Sequence, residues 1–226
     1  MPVYTYNTFD VPLALDTEPL GINDSGQIVG QYRDSGGVHS FLFSGGTFTA
    51  INDPSATGPT FAYGINNSGQ IVGDYNPNNF DVPGFLYDPT SNVFPPYFTL
   101  HDPSANQGTF PRSINDARQI VGHYLDSTGD HGFLLSGVNY AIFEDPMAAF
   151  GTFANGINDA GQIVGYYTDS GNKFHGFLYN PTNGSFTTLD DPLATGGTTA
   201  LGINDKGDIV GSFNNGSHGF LYRNGA

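Results

Sequence analysis

The stretch GINDSGQIVG, Gly21–Gly30, decides the fold because it returns four more times with small changes. The later copies are GINNSGQIVG from Gly64, SINDARQIVG from Ser113, GINDAGQIVG from Gly156 and GINDKGDIVG from Gly202, at spacings of 43, 49, 43 and 46 residues. Self-similarity at such a period is typical of solenoids, arrays and propellers. We therefore expect one domain over residues 1–226, built from repeats that start near 21, 64, 113, 156 and 202.

Turn signals divide every copy into four strands. In the second copy we expect strands over residues 61–66, 70–75, 82–87 and 97–101, with a hairpin loop at Asn67, Ser68 and Gly69. Asp102-Pro103 ends the fourth strand, since proline cannot donate to a β-ladder. The second and third strands carry nearly continuous apolar runs, which predict sheets covered on both faces. Radially packed propeller blades provide that environment.

The two ends of the chain suggest how the ring closes. The fifth copy runs out after its third strand, whereas the segment before Gly21 resembles the fourth strand and connecting loop of the other copies. We therefore predict an all-β protein, a single five-bladed β-propeller with four antiparallel strands per blade. Residues 1–12 would supply the last strand of blade 5 and remove the open edge.

The paired motifs resemble a known family. GINDxGQIVG is followed in each copy by a second element such as HGFL, and this pairing is similar to the bacterial extracellular HAF repeat. Gly or Ser replaces the central Ala of that family's second element here, and Pro83 replaces its His in the second copy. The resemblance implies a repeated β-structure on a secreted or cell-surface protein and brings no catalytic residues. Residues 1–10 show no signal peptide, so a cytoplasmic location stays open.

The composition of the chain limits the classes of molecule that it is expected to bind. Six Lys and Arg against 21 Asp and Glu leave a net charge of -15, which predicts no nucleic-acid partner. The chain has no cysteine and no apolar run long enough to span a bilayer, so thiolate chemistry and membrane insertion are not expected. We expect a monomer that takes a small polar ligand or glycan.

Repeated polar residues favour structural roles over a metal or cofactor. One histidine opens the third strand in four copies, and four equivalent side chains on separate blades cannot converge on one ion. We expect each of them to hold a loop: His39, His131, His175 and His218. The Asn-Asp pairs of the first hairpin are expected to form Asx turns. No cofactor and no metal site are predicted, although weak calcium binding on the acidic loop face stays open.

The informative positions are those where the copies disagree. One set directly precedes the Gly-Ile-Asn of the first strand: Leu20, Tyr63, Arg112, Asn155 and Leu201. Another directly follows the Val-Gly of the second strand: Gln31, Asp74, His123, Tyr166 and Ser212. Both sets should meet at one mouth of the central channel, with Arg112 opposite Gly122 and His123 opposite Pro111. Drift at free positions is the simpler alternative. If the positions are selected, the predicted ligand site consists of Tyr63, Asp74, Arg112, His123, Asn155 and Tyr166.

Three functions fit this sequence. The first is a non-enzymatic binding module that takes a small polar ligand, such as a carbohydrate, at the channel mouth. The second is a hydrolase or lyase at the same mouth, with His123 as base, Arg112 as anion clamp and Asp74 or Tyr166 in support. The third is an acidic scaffold for another protein. Whether the protein is an enzyme stays open, with binding preferred because no catalytic motif is recognisable.

Overall fold

The computed structural model describes residues 7–75, 81–92 and 96–223, and this part of the chain is all-β. Its strands form five antiparallel sheets, each built from strands that follow one another along the chain. The first strand of every sheet lies nearest to the central channel. The five-bladed β-propeller that the repeats predict is confirmed.

The blades follow one another along the sequence. Blade 1 contains β1 (Asp16–Ile22), β2 (Ile28–Asp34), β3 (Gly37–Ser44) and β4 (Thr47–Ile51). Blade 2 contains β5 (Thr60–Ile65), β6 (Ile71–Tyr75), β7 (Gly84–Tyr87) and β8 (Tyr97–Leu100). Blade 3 contains β9 (Gly108–Ile114), β10 (Gln119–Leu125), β11 (Asp130–Ser136) and β12 (Asn139–Phe143). Blade 4 contains β13 (Thr152–Ile157), β14 (Ile163–Thr168), β15 (Phe174–Asn180) and β16 (Ser185–Leu189). Blade 5 contains β17 (Thr198–Ile203), β18 (Ile209–Phe213) and β19 (His218–Tyr222).

A phenylalanine on the third strand forms the centre of each of the first four blades. Phe41, Phe85, Phe133 and Phe177 are at most 1% exposed. Each contacts an aromatic ring on the outer strand, as in the edge-to-face pair of Phe133 and Tyr140 at 5.4 Å. Full burial of one such ring contributes about 2 kcal/mol. These layers make the covered sheets that the apolar runs predict.

The repeated Asn-Asx pair joins neighbouring blades. The Asn66 Oδ1 accepts from the Ser68 and Gln70 amides, which is the expected Asx turn, and Gly69 adopts a φ of 74°. The Asn66 Nδ2 also donates to the Asn115 carbonyl of blade 3 at 3.1 Å. The same bond runs from Asn23 to Asn66, from Asn115 to Asn158 and from Asn158 to Asn204. The motif is constant because it holds both its own hairpin and the next blade.

The seam between blade 5 and blade 1 is more open than the other four blade interfaces. Val210 is 51% exposed, whereas the equivalent valines Val29, Val72, Val121 and Val164 are 0% exposed. On the facing side, Ile22 is 68% exposed and its equivalent Ile65 is 8% exposed. The neighbouring blade therefore covers these apolar side chains less than it covers their equivalents elsewhere in the ring.

Half of the predicted closing strand falls on residues that the structure does not describe. Residues 1–6 lie outside the described part of the chain, and residues 7–15 contain no strand. The Phe9 ring nevertheless stacks on Phe43 of blade 1 at 5.0 Å, as Phe143 at the end of β12 stacks on Tyr179 of blade 4 at 4.7 Å. The Val11 amide donates to the Thr17 hydroxyl, a bond that recurs from Asp53 to Thr60 in the next loop. Residues 9–15 thus form a loop like those that follow each fourth strand, and closure by residues 1–12 stays a prediction.

Candidate functional site at the channel mouth

A β-bulge in every blade positions the first variable set. The pairing of the first two strands shifts at one residue, which is left without a partner on the second strand. The skipped residues are the ones that vary among the copies: Leu20, Tyr63, Arg112, Asn155 and Leu201. Bulges redirect side chains and often lie beside binding sites. The variable positions are therefore a repeated structural feature of the fold.

The bulge corrects the expected register of blade 3. Gly122 pairs with Pro111 and His123 pairs with Phe110, so the expectations that Arg112 faces Gly122 and that His123 faces Pro111 are both wrong. The bulge also explains the constant glycine of Val-Gly. A Cβ on Gly122 would lie 2.0 Å from the Phe110 carbonyl oxygen, so this position cannot hold a side chain without moving the backbone.

Arg112 connects blade 3 to blade 2 at the mouth. Its guanidinium carbon lies 4.1 Å from the centroid of the Tyr63 ring, within cation–π range. Its Nη1 lies 3.5 Å from the Asp74 Oδ2, and the Arg112 side chain keeps 26% of its surface exposed. Three of the predicted ligand-binding residues, Tyr63, Asp74 and Arg112, therefore form one cluster, which we call the mouth cluster.

Asp74 is a buried carboxylate in this cluster. It is 5% exposed, and its Oδ2 is buried without a hydrogen-bond partner among the described residues. Burial raises the pKa of Asp74 to about 6, although Arg112 and the Tyr63 hydroxyl partly oppose the shift. A buried acceptor of this kind is costly unless a bound group satisfies it.

His123 lies beside the mouth cluster in an aromatic environment. Its ring stacks on Phe110 at 4.8 Å and meets the edge of Phe153 at 5.0 Å. Burial and the Arg112 charge lower the pKa of His123 to about 3, so the ring is neutral near neutral pH. Its Nδ1 is buried and has no hydrogen-bond partner in the described part of the chain.

The expected pairing of His123 with Asp74 is not found. Asp74 faces Arg112, whereas the His123 Nε2 lies 3.6 Å from the Asp130 Oδ1. A general base must accept a proton at the working pH, and a pKa of about 3 opposes that role near neutrality. The predicted support of the base by Asp74 is therefore wrong in its geometry.

The other two predicted site residues already have structural partners. The Asn155 Nδ2 donates to the Ala200 carbonyl of blade 5 at 2.9 Å. The Tyr166 ring stacks on Phe153 at 4.7 Å, and burial raises the pKa of its hydroxyl. Both therefore help to build the wall of the mouth beside His123.

Sequence reasoning missed the aromatic residues that precede the bulge in blades 2, 3 and 4. Phe61, Phe110 and Phe153 pair with Asp74, His123 and Tyr166 in turn. They were not singled out because a bulge shifts the register by one residue, and the repeat pattern does not show the shift. A Phe two positions before a variable residue in three successive copies is the signal that was available.

The repeated histidines hold loops, as predicted, in three of the four cases. The Nε2 atoms of His39, His131 and His175 contact Asp34, Asp126 and Asp169 of the loop that precedes each histidine. Each of the four histidine rings stacks on an aromatic residue, including His218 on Phe213 at 4.9 Å. In the described residues no group of three or more His, Asp or Glu side chains is placed to hold a metal ion. Weak calcium binding on the acidic loop face stays a prediction.

The opposite end of the channel holds a cavity of about 220 Å³. An Ile-Asn-Asx triplet from each blade lines it, and four of the five asparagines bond to the next blade. This end is therefore part of the scaffold and lies away from the mouth cluster. The described residues include no helix long and apolar enough to cross a bilayer.

Comparison with solved structures shows the fold of this chain and no closer relationship. The chain is similar to a structure of the nidogen/laminin complex, with 12% identity over 94% of this chain and 77% of that chain and a TM-score of 0.59. It is similar to TolB from Acinetobacter baumannii, with 12% identity, coverage of 90% and 53% and a TM-score of 0.62, so it spans about half of TolB. It is also similar to the fucose-specific lectin from Aleuria aurantia, with 14% identity, coverage of 91% and 75% and a TM-score of 0.54. No family model and no curated protein match the chain.

Proposed function

We propose that the protein is a non-enzymatic binding module that takes a small hydroxylated ligand, in the simplest case a sugar residue, at the mouth cluster. The observation that carries the proposal is a pair of buried polar atoms without hydrogen-bond partners among the described residues: the Asp74 Oδ2, whose ion pair with the Arg112 Nη1 is long at 3.5 Å, and the His123 Nδ1. Buried polar groups in folded proteins almost always have partners, and a bound ligand would supply them.

The chemistry of the mouth cluster suits a neutral hydroxylated ligand. Arg112 has five N–H donors, and its ion pair with Asp74 is a single long contact of 3.5 Å from Nη1. Asp74 offers an acceptor beside those donors, so adjacent ligand hydroxyl groups could accept from Arg112 and donate to Asp74. An anionic ligand would be repelled by the ionised Asp74 above about pH 6. The lectins among the structural neighbours bind fucose according to their descriptions, which supports a saccharide as the first class to test.

A glycan array followed by calorimetry tests the proposal. We expect the wild type to bind at one mouth site and Arg112→Gln to weaken that binding about tenfold or more, since a hydrogen bond to a charged group contributes about 2 kcal/mol. Arg118→Gln is the matched control, because Arg118 also contacts a buried aspartate, Asp88 at 3.2 Å, away from the mouth. An array without hits, or equal loss in both variants, would contradict the proposal.

The hydrolase or lyase alternative is weakened by the neutral, aromatic-packed His123, and no observation favours the acidic scaffold over a binder. The proposal includes a monomer that works outside the cell, as the HAF-type repeat suggests. Sedimentation tests the oligomeric state, and fractionation of the producing cells tests the location.

A further inference from the structure

Blades 1 and 3 carry a cavity at the same place on the rim of the loop face, between the start of the third strand and the loop that leads to the next blade. The cavity of blade 1 has a volume of about 360 Å³, whereas that of blade 3 has about 90 Å³. Pockets for small ligands begin at about 300 Å³, so only the larger of the two reaches that size. We call the larger one the blade 1 rim cavity, lined by His39, Asn52, Ala56 and Pro59 among others.

One substitution accompanies this difference. In blades 3 and 4 the histidine Nε2 contacts the loop aspartate, and the Nδ1 contacts a second acid directly after the outer strand. That acid is Glu144 in blade 3 and Asp190 in blade 4, the latter at 2.7 Å from the His175 Nδ1. Blade 1 has Asn52 at this position, directly after β4.

The substitution leaves a ring nitrogen of His39 available. The His39 Nε2 lies 3.2 Å from the Asp34 Oδ1, and its Nδ1 has no hydrogen-bond partner in the described part of the chain. The His39 side chain is 35% exposed, compared with 16% for His131 and 15% for His175. Tyr32 stacks on the ring at 5.1 Å and fixes its plane.

The tautomer of His39 sets the ligand chemistry. Because a carboxylate can only accept, the Asp34 contact assigns a proton to the Nε2 and leaves the Nδ1 as the possible acceptor. Asn52 stands at the position from which Glu144 and Asp190 contact the equivalent Nδ1 in blades 3 and 4. The side-chain amide of Asn52 can donate a hydrogen bond in the same cavity, and Ala56 and Pro59 form an apolar part of its wall. A hydroxyl group both donates and accepts, so it fits between the two side chains.

We propose that the blade 1 rim cavity is a second binding site, which takes one sugar residue through a hydroxyl that donates to the His39 Nδ1 and accepts from the Asn52 amide. The site shares no residue with the mouth cluster and does not depend on it. Blades 2, 3 and 4 lack such a site, because blades 3 and 4 fill the equivalent position with an acidic side chain and blade 2 has Pro83 in place of the histidine.

The test follows the histidine ring resonances by NMR while methyl α-L-fucoside, methyl β-D-galactoside, methyl α-D-mannoside and N-acetylglucosamine are added in turn. We expect at least one of them to shift the His39 resonance saturably. Asn52→Glu, which copies Glu144 of blade 3, should weaken this binding at least tenfold, and Arg112→Gln should leave it unchanged. If Asn52→Glu does not fold, Asn52→Asp copies Asp190 of blade 4 and carries the same expectation.

The reverse substitution in blade 3 tests whether the same kind of binding site can be created there. Glu144→Asn should free the His131 Nδ1, enlarge the blade 3 cavity and make the His131 resonance respond to the same sugar. Absence of any His39 shift with all four sugars would overturn the proposal, as would equal binding by wild type and both Asn52 variants. Loss of the His39 response in Arg112→Gln would also overturn it, because it would place the sugar at the mouth cluster.

Discussion

At the residue scale, two buried titratable groups at the channel mouth, Asp74 and His123, affect stability with opposite pH dependences. The pKa of Asp74 is raised to about 6, so folding favours its protonated form, and the pKa of His123 is lowered to about 3, so folding favours its neutral form. Each shift has burial as its largest cause. The two groups therefore change the free energy of unfolding in opposite directions over the acidic range.

Asp74→Asn should stabilise the protein near neutral pH. The wild-type contribution is fully present below the ordinary pKa of 3.8 and is lost as the pH rises to about 6. Raising the pKa of Asp74 from 3.8 to about 6 corresponds to about 3 kcal/mol of unfolding free energy. The variant should therefore be more stable than the wild type by up to about 3 kcal/mol at about pH 7, and equally stable at about pH 4. Urea unfolding at both pH values measures the difference.

Asp88→Asn is the control for that experiment. Asp88 is also a buried carboxylate beside an arginine, but hydrogen bonds from Thr90 and Gln70 lower its pKa despite the opposing effect of burial. Its replacement should destabilise the protein at neutral pH. Equal signs for the two variants would show that the burial of Asp74 is not what raises its pKa.

His123→Phe should reduce the sensitivity of the fold to acid. The unfolded chain takes up a proton below about pH 6.5 while the folded protein does not, so the wild type loses stability as the pH falls from there towards about 3. Phenylalanine keeps the stack on Phe110 and cannot titrate. The slope of unfolding free energy against pH below 6.5 should therefore be smaller in the variant, and an unchanged slope would contradict the buried neutral ring.

At the scale of the element, the bulged hairpin is the unit that builds the mouth. It places a variable side chain at the same point of each blade and brings the first strand against the glycine of the second. The side chain at the bulge can change freely because it takes no part in strand pairing. Each ten-residue motif thereby forms framework, and the candidate site residues lie directly before and after it.

Gly122→Ala should disrupt this element. Its Cβ would lie 2.0 Å from the Phe110 carbonyl oxygen, a backbone atom that cannot move without breaking the hairpin. We expect a loss of more than about 3 kcal/mol in thermal or urea unfolding. Gly219→Ala is the control, since the nearest atom to its Cβ would be the Gly211 carbonyl oxygen at 3.8 Å, and it should change stability by less than about 1 kcal/mol.

At the scale of the whole molecule, the seam between blades 5 and 1 distinguishes this ring from an evenly packed one. Four blade interfaces bury a valine completely, whereas the fifth leaves Val210 half exposed. The inter-blade hydrogen bonds from asparagine likewise begin at Asn23 and end at Asn204 in the described residues. The interface between blade 5 and blade 1 is therefore the least tightly packed of the five blade interfaces in the described residues.

Two equivalent substitutions compare how well the seam and another blade interface are packed. Val164→Asp buries a charge between blades 4 and 5 and should destabilise by about 4 kcal/mol or prevent folding. Val210→Asp at the seam should cost less than about 1 kcal/mol, because half of that side chain is in water. Equal and large losses in thermal melting would show that blade 1 covers Val210 in solution, as closure by residues 1–12 predicts.

Much of the fold could be predicted because each copy of the motif carries the same local signals for turns and strands. Gly69 marks the hairpin, the apolar runs mark strands covered on both faces, and Asp102-Pro103 marks the strand end. The period and count of the copies then specify five blades. Arg112 and Asp74 could be singled out for a related reason, since they depart from an otherwise constant pattern.

The sequence by itself thus determined the blade, its repetition and the positions at which the copies differ. Only the tertiary structure decided which side chains meet, because contacts between blades join residues more than 40 positions apart. In that structure Arg112 has no partner in the strand pairing, Asp74 forms an ion pair with Arg112, and His123 packs between phenylalanines. The physical reason is the bulge: its one-residue shift changes what each side chain faces and leaves almost no trace in the motif that forms it.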